Sequence, residues 1–348
     1  MSALPEHFAE LVRSTVPDGE RLAAASEWPG KIREHIQAHD FETVSPHHHL
    51  VGSYARSTAV GDIKDVDVVV FLPVEREEDS SRDVLSELEA ALKEFPDATI
   101  DTTVQRRSVR VTVGDFDLDV VPAIIREDDH HGVLLIPDKT REEWIESRPI
   151  GYSDALASLN QTHNQKVKPQ VRLLKTWRNG RMVYMKPKSY LLECLVYHAF
   201  NDGKVAGDGL SHGPLFADLL EHLVDRLGPT IDAGGVPNVA DPMTGKHVSA
   251  GWEHSHAKAL LTRLREDAAI ARKAVDADDE DEAIELWSRV FPDDFPTDSE
   301  NSKSALREHL LSGKGAVTPA GVLLNKPRPG AVPLPRTHAY GDRVDDDR

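Results

Sequence analysis

Only one cysteine, Cys194, occurs in 348 residues. A lone thiol closes no intramolecular disulfide, so the chain reads as one made for a reducing, cytoplasmic setting. Positive charge is also scarce: 41 Lys and Arg stand against 59 Asp and Glu, for a formal net charge of −18. That balance speaks against a long, stable grip on a nucleic acid backbone, which needs clustered cations. It leaves nucleotide substrates open, since metal ions and a few local basic groups can hold a triphosphate. No apolar run approaches the length of a membrane span, and MSALPEHFAELVRSTVPDGE has no apolar core of a secretory signal. An internal repeat is missing, and the Gly-rich stretch at 202–214 follows a helix without P-loop spacing. What is present is a 39% hydrophobic content, enough for a sizeable core. The length suits two domains or one two-lobed unit.

The chemistry concentrates in LVGSYARSTAVGDIKDVDVVVF, Leu50 to Phe71. A small-residue turn, Gly52-Ser53, lets backbone N–H groups and a hydroxyl approach a phosphate. Two aspartates, Asp65 and Asp67, then open an apolar run. Strand side chains alternate, so these two share one face while Val66, Val68 and Val70 fill the other. Adjacent carboxylates repel unless a cation lies between them, and hard divalent cations prefer such oxygens. A later strand, FDLDVVPAII, carries Asp117 and Asp119 on one face, with Asp115 in the turn before it. Asp119 lies deepest and is the best third ligand, because a buried carboxylate is costly unless paired or coordinating. Asp115 and Asp117 read as the wet face of that strand.

Other segments are assigned by periodicity and punctuation. Helices are expected over 7–15 and 20–38, with Trp28, Ile32 and Ile36 among the apolar positions of the second. Residues 42–50 read as strand, and the adjacent His47, His48 and His49 point to opposite faces, which suits chelation poorly. Ser80 or Ser81 caps a helix that Pro96 closes. Strands follow near 99–104 and 108–113, with a tight turn at Gly114-Asp115. Residues 126–150 read as a loop-rich excursion in which Asp128, Asp129, His130 and His131 are solvated. A helical pattern runs from Tyr152 to Asn179, with Lys168, Arg172 and Lys175 as a basic stripe. Ser189 is expected to cap a buried helix holding Cys194 and His198. Further helices cover 214–228, 253–275 and AIELWSRVF, and the chain from about residue 300 reads as a flexible tail.

The order GSYARST, DVDVVVF, LDVVPA resembles the catalytic signature of the DNA polymerase β-like nucleotidyltransferase superfamily. VRLLKTW, KSYLLE and ELWSRVF extend the likeness to the bacterial cGAS/DncV-like nucleotidyltransferases, relatives of the oligoadenylate synthetases. The resemblance covers roughly residues 20–298. It implies an α+β, two-lobed fold: a catalytic lobe over 1–150 with a mixed sheet and N-terminal helices, a helical substrate-binding lobe over 151–298, and a tail over 299–348. It also implies joining of nucleoside triphosphates into a cyclic oligonucleotide with release of pyrophosphate. The product would be a second messenger that switches on an effector in anti-phage defence. By position, Asp65, Asp67 and Asp119 would hold two Mg²⁺, with Mn²⁺ as an alternative. Gly52 and Ser53 would hold donor phosphates, with Lys175 and Ser189 reaching the triphosphate from the helical lobe. A regulatory partner is compatible with this picture. Three rival readings share the motifs: transfer to an RNA 3′ end, transfer to a protein or small molecule, and a non-catalytic nucleotide-binding protein. The missing basic surface weakens the first, and the intact aspartate set weakens the last.

Overall fold

A computed structural model of the chain describes residues 4–17, 19–61, 65–96, 98–101, 105–114, 116–126, 132–207 and 209–297, with three two-residue strands near the C-terminus. Seven strands form one mixed sheet: β1 (His48–Val51), β2 (Asp65–Leu72), β3 (Ala98–Asp101), β4 (Val109–Val113), β5 (Phe116–Ile125), β6 (Leu134–Asp138) and β7 (Glu143–Ser147). Their order is β1-β2-β5-β4-β3, with β6 joined to β5 and β7 to β6. The central pair β2–β5 is parallel and the remaining pairs are antiparallel.

Alternation decides which side chains enter the core. Val66, Val68, Val70, Leu118 and Val120 pack with Ile32 and Ile36 of α2 (Gly19–Ala38) and with Val84, Leu88 and Leu92 of α4 (Ser81–Leu92). Ser80 caps α4 by accepting from the Asp83 N–H. The opposite face holds a smaller cluster of Val69, Phe71, Ala123 and Leu134. Toward its other end that face turns polar, at Asp65 and Asp67.

A second core belongs to α5 (Pro149–Thr162), α6 (Val167–Arg181), α7 (Ser189–Asn201), α8 (His212–Asp232), α9 (His254–Asp276) and α10 (Glu280–Val290). The N-terminal helix α1 (Pro5–Ser14) packs into this core: Phe8 meets the Trp287 ring edge-on at 4.7 Å and Phe295 at 5.4 Å. The two N-terminal helices therefore serve different lobes, α1 the helical one and α2 the sheet. No helix among the described residues is long and apolar enough to cross a membrane.

Several expectations are corrected. The strand expected over 42–50 is confined to His48–Val51, because a turn at Ser45-Pro46 precedes it and Pro46 has no N–H to give a ladder. The excursion at 126–150 contains the hairpin β6–β7. Pro137 hid it, yet β5 pairs only with Leu134 and Leu135, so Pro137 sits where no second strand needs its N–H. The helix from Tyr152 to Asn179 is two helices, broken where Asn164 and Gln165 take positive φ. Lys188, not Ser189, occupies the cap position of α7. Asp115, residues 127–131 and most of the chain beyond 297 lie outside the described residues, which include from the C-terminal segment only the strands β8 (Ala316–Val317), β9 (Leu323–Leu324) and β10 (Val332–Pro333).

Candidate active site

The parallel register sets Asp65 beside Asp117 and Asp67 beside Asp119 on one sheet face. Arg110 of β4 lies directly across from Asp119. Its Nε and Nη2 each donate to an Asp119 carboxylate oxygen at 2.9 Å. The same guanidinium comes within 3.5 Å of Asp117 and 3.9 Å of Asp65, and Thr112 donates to Asp117 at 2.7 Å. Three carboxylates thus share one arginine. Sequence reasoning missed Arg110, although counting back across the hairpin turn at Gly114 would have placed it opposite Asp119.

Asp67 is pushed up to about 6 by burial first, then by the carboxylates of Asp119 and Asp65, while Arg56 and Arg110 pull it the other way. Gly52 makes room for it. A Cβ at Gly52 would fall 1.8 Å from Asp67 Oδ2, and Gly52 has φ +75. Gly52 and Ser53 begin the single-turn helix α3 (Gly52–Ala55), where the Ser53 carbonyl accepts from the N–H groups of Thr58 and Ala59. The donor set therefore fits a divalent cation: hard oxygens, held adjacent, with one protonation equilibrium displaced by burial and then by mutual repulsion. Among the described residues no three such groups converge as a ready-made cage, consistent with both Asp119 oxygens being engaged by Arg110.

The turn after α3 is fastened to the helical lobe by buried charge. Glu193 of α7, 1% exposed, accepts from Arg56 Nε at 2.9 Å and from Lys175 Nζ at 2.5 Å. It also accepts from Thr58 Oγ1 at 2.9 Å, and Lys175 donates to the Thr58 carbonyl at 2.8 Å. Arg56 lies over the Tyr152 and Tyr190 rings at 5.1 and 5.8 Å. Arg172 reaches across to Thr15 Oγ1 and the Ser57 carbonyl. The expected basic stripe on α6 is thus a lobe-to-lobe clasp in which Arg172 and Lys175 are buried. Burial lowers the Lys175 pKa, against the pull of Glu193.

A cavity of about 750 Å³ opens between the lobes. Gly52, Ser53, Arg56 and Asp67 line its floor, and Ser189, Tyr190 and Glu193 line the α7 side. Ser189 Oγ accepts from Arg178 Nη1 at 3.1 Å. Lys175 is not among the lining residues; its ammonium stands behind the wall on Glu193. One rim is a loop organised by Asp241, which accepts from the Tyr190 hydroxyl at 2.6 Å and from the N–H groups of Met243 and Thr244 at 2.8 Å. That loop brings Lys246 and His247 to the cavity. Sequence reasoning missed this loop because the Tyr190 hydroxyl that anchors it lies about fifty positions away in the chain.

A family model for the Second Messenger Oligonucleotide or Dinucleotide Synthetase domain matches residues 1–160. The chain is 33% identical over 318 residues to the cyclic AMP-AMP-AMP synthase of an Acinetobacter species, covering 88% of this chain and 89% of the relative. Its fold is similar to that of E. coli MS115-1 CdnC, solved in complex with HORMA-deltaN, with a TM-score of 0.66 at 17% identity over 84% of this chain and 98% of the other. It is also similar to the Vibrio cholerae DncV cyclic AMP-GMP synthase, with a TM-score of 0.57 at 16% identity over 84% and 86% of the two chains. The chain belongs to the bacterial cGAS/DncV-like nucleotidyltransferases and is a cyclic oligonucleotide synthase.

Proposed function

We propose that this enzyme condenses ATP into a cyclic triadenylate, releasing pyrophosphate, and that the product activates a downstream effector in anti-phage defence. The identity of the bases rests on the near full-length relation to a cyclic AMP-AMP-AMP synthase. The chemistry rests on one geometric observation, the pairing of Asp119 with Asp67, the aspartate that lines the floor of the interlobe cavity.

Two Mg²⁺, or Mn²⁺, held by Asp65, Asp67 and Asp119 would lower the pKa of the attacking ribose hydroxyl and offset charge on the leaving pyrophosphate. The protein's own groups position the reactants. Ser53 and the Gly52 backbone receive the donor phosphates, and Ser189 approaches from the other lobe. Asp119, the carboxylate gripped by Arg110, serves the attacking hydroxyl and helps accept its proton. Arg110 holds it oriented before substrate arrives. Lys175 acts indirectly, by fixing Glu193 and, through it, Arg56 and the turn after Ser53.

The purified chain is incubated with Mg²⁺ and each labelled nucleoside triphosphate, without RNA, then treated with phosphatase. A phosphatase-resistant product from ATP alone, matching cyclic triadenylate, is expected, and EDTA abolishes it. A mixed-base product overturns the base assignment, and dependence on added tRNA overturns the cyclic product. A chain that turns over only after addition of a HORMA protein assigns activation to a partner of that kind.

A further inference from the structure

The wall of the cavity opposite α7 contains an arrangement with no part in metal binding. Asp138, at the end of β6, is fully buried, although it sits at a hairpin turn near the surface. Its carboxylate accepts from Arg106 Nε at 2.6 Å, from Arg107 Nε and Nη2 at 3.4 and 3.3 Å, and from the N–H groups of Thr140 and Arg141 at 3.2 Å each. The Lys139 N–H donates to the Arg106 carbonyl at 3.1 Å, tying the two loops together. A wholly buried carboxylate is costly, and a hairpin does not need one to form. What it achieves here is orientation: one edge of the Arg107 guanidinium is turned inward, and Arg107 and Arg141 both line the cavity that Asp67 and Ser53 floor. Arg141 also pairs with Glu143 at 3.2 Å, but both side chains are more than half exposed, so that pair is weak. Glu146 shares this wall as an opposing charge.

Building on the reading of the enzyme as an oligonucleotide synthase, the first bond requires two nucleotides in one cleft. Each carries a polyphosphate. The carboxylate end, with its cations, serves the donor's phosphates. The attacking nucleotide's phosphates need compensation elsewhere in the same cavity. A guanidinium presents several N–H donors in a fixed plane, a geometry matched to phosphate oxygens.

We propose that Arg107 and Arg141 bind the 5′ phosphates of the nucleotide whose ribose hydroxyl attacks, with Asp138 as the positioning residue that aims the Arg107 guanidinium and anchors the backbone of Arg141.

The test uses the full chain in EDTA, so that metal-dependent anion binding is silent, with inorganic tripolyphosphate titrated calorimetrically. Wild type binds, and the Arg107→Gln/Arg141→Gln variant binds at least tenfold more weakly, as loss of charge-assisted hydrogen bonds requires. Absence of wild-type binding, or unchanged binding by the double variant, overturns the proposal. Both substituted side chains are substantially exposed, and Asp138 keeps Arg106 and two backbone N–H groups as donors; the thermal midpoint of the double variant is measured alongside, and Arg141→Gln alone, which leaves the Asp138 contacts intact, is expected to weaken binding as well. Asp138→Asn, with its thermal midpoint measured alongside, is expected to weaken binding while both arginines remain; unchanged affinity removes its positioning role. The acceptor assignment is read with 2′,3′-dideoxy-ATP as donor and either ATP or adenosine as acceptor. Wild type prefers ATP, and the double variant loses at least tenfold of that preference; a retained preference overturns the assignment. A wild-type chain that binds tripolyphosphate through these arginines yet makes no oligonucleotide fails the proposed function and leaves the anion site standing.

Discussion

Replacing Glu193 with Gln isolates the energetics of the buried clasp between the lobes. Glu193 is in direct contact with both Arg56 and Lys175, and all three side chains are at most 7% exposed. Glutamine keeps the shape and an accepting oxygen but removes the charge, leaving two cations facing each other in the interior. Removing one partner of a buried ion pair costs about 3–5 kcal/mol, because the remaining charge is uncompensated. Lys175 can escape by shedding its proton, and neutralising an ordinary lysine at pH 7 costs about 5 kcal/mol. The expected loss is therefore about 3–5 kcal/mol by urea denaturation at pH 7, or a fall of about 4–7 °C in the thermal midpoint of a chain this long. Adding Lys175→Met to Glu193→Gln restores the wild-type count of one excess positive charge, now on Arg56 against its two tyrosine rings, and should recover at least half of the loss. A Glu193→Gln protein within 1 kcal/mol of wild type would falsify the reasoning, since it would mean that water already screens the clasp.

Three further outcomes follow from the site. Gly52→Ala drives a methyl group into the Asp67 carboxylate and demands a positive φ of an L residue, so at least tenfold lower turnover and about 1 kcal/mol or more of lost stability are expected; wild-type turnover in a steady-state assay refutes the close packing. Asp67→Asn abolishes product yet raises the metal-free thermal midpoint above pH 6. A carboxyl group held near 6 makes the folded state lose stability as pH rises from about 4 through 6, and the amide is spared that loss; an unchanged midpoint argues against carboxylate repulsion. His212 titrates in the other direction. Burial, with Lys166 and Arg172 nearby, lowers it to about 4, so the unfolded chain takes up a proton first as pH falls below about 6.5. Stability is lost between there and about 4, by at most about 3 kcal/mol and less after solvent screening. His212→Gln should flatten that part of the stability profile, and an unaltered slope counts against it.

The catalytic half of the fold was legible because its signals are local. Alternation in DVDVVVF and FDLDVV reports both the strand and the face on which its acids lie, and the structure places Asp67 and Asp119 side by side on that face. The hairpin β6–β7 was not legible, since Pro137 and a charged partner strand erase the β pattern where only one neighbour has to be satisfied. Lys175 shows a different limit. Its spacing with Lys168 and Arg172 identifies one helical stripe, but spacing does not say what the stripe meets, and Glu193 and Thr58 approach from other elements. Arg110 lay between these cases. The turn at Gly114 fixes its partner, whereas its approach to Asp65, the third of its acids, depends on the neighbouring parallel strand.

That parallel strand has a consequence for how the enzyme can vary. Asp67 and Asp119 meet through the ladder between β2 and β5, while α4, β3 and β4 lie between them in sequence. The intervening excursion leaves one edge of the ladder and returns to it, so its length does not set the spacing of the two carboxylates. Exposed segments within it can lengthen or accept a grafted module while the reaction centre keeps its dimensions. A shift of β5 by a single residue has the opposite character: it sends Asp119 through to the apolar face and brings Val120 up in its place. The centre is thus tolerant of change measured along the chain and intolerant of change measured along the strand.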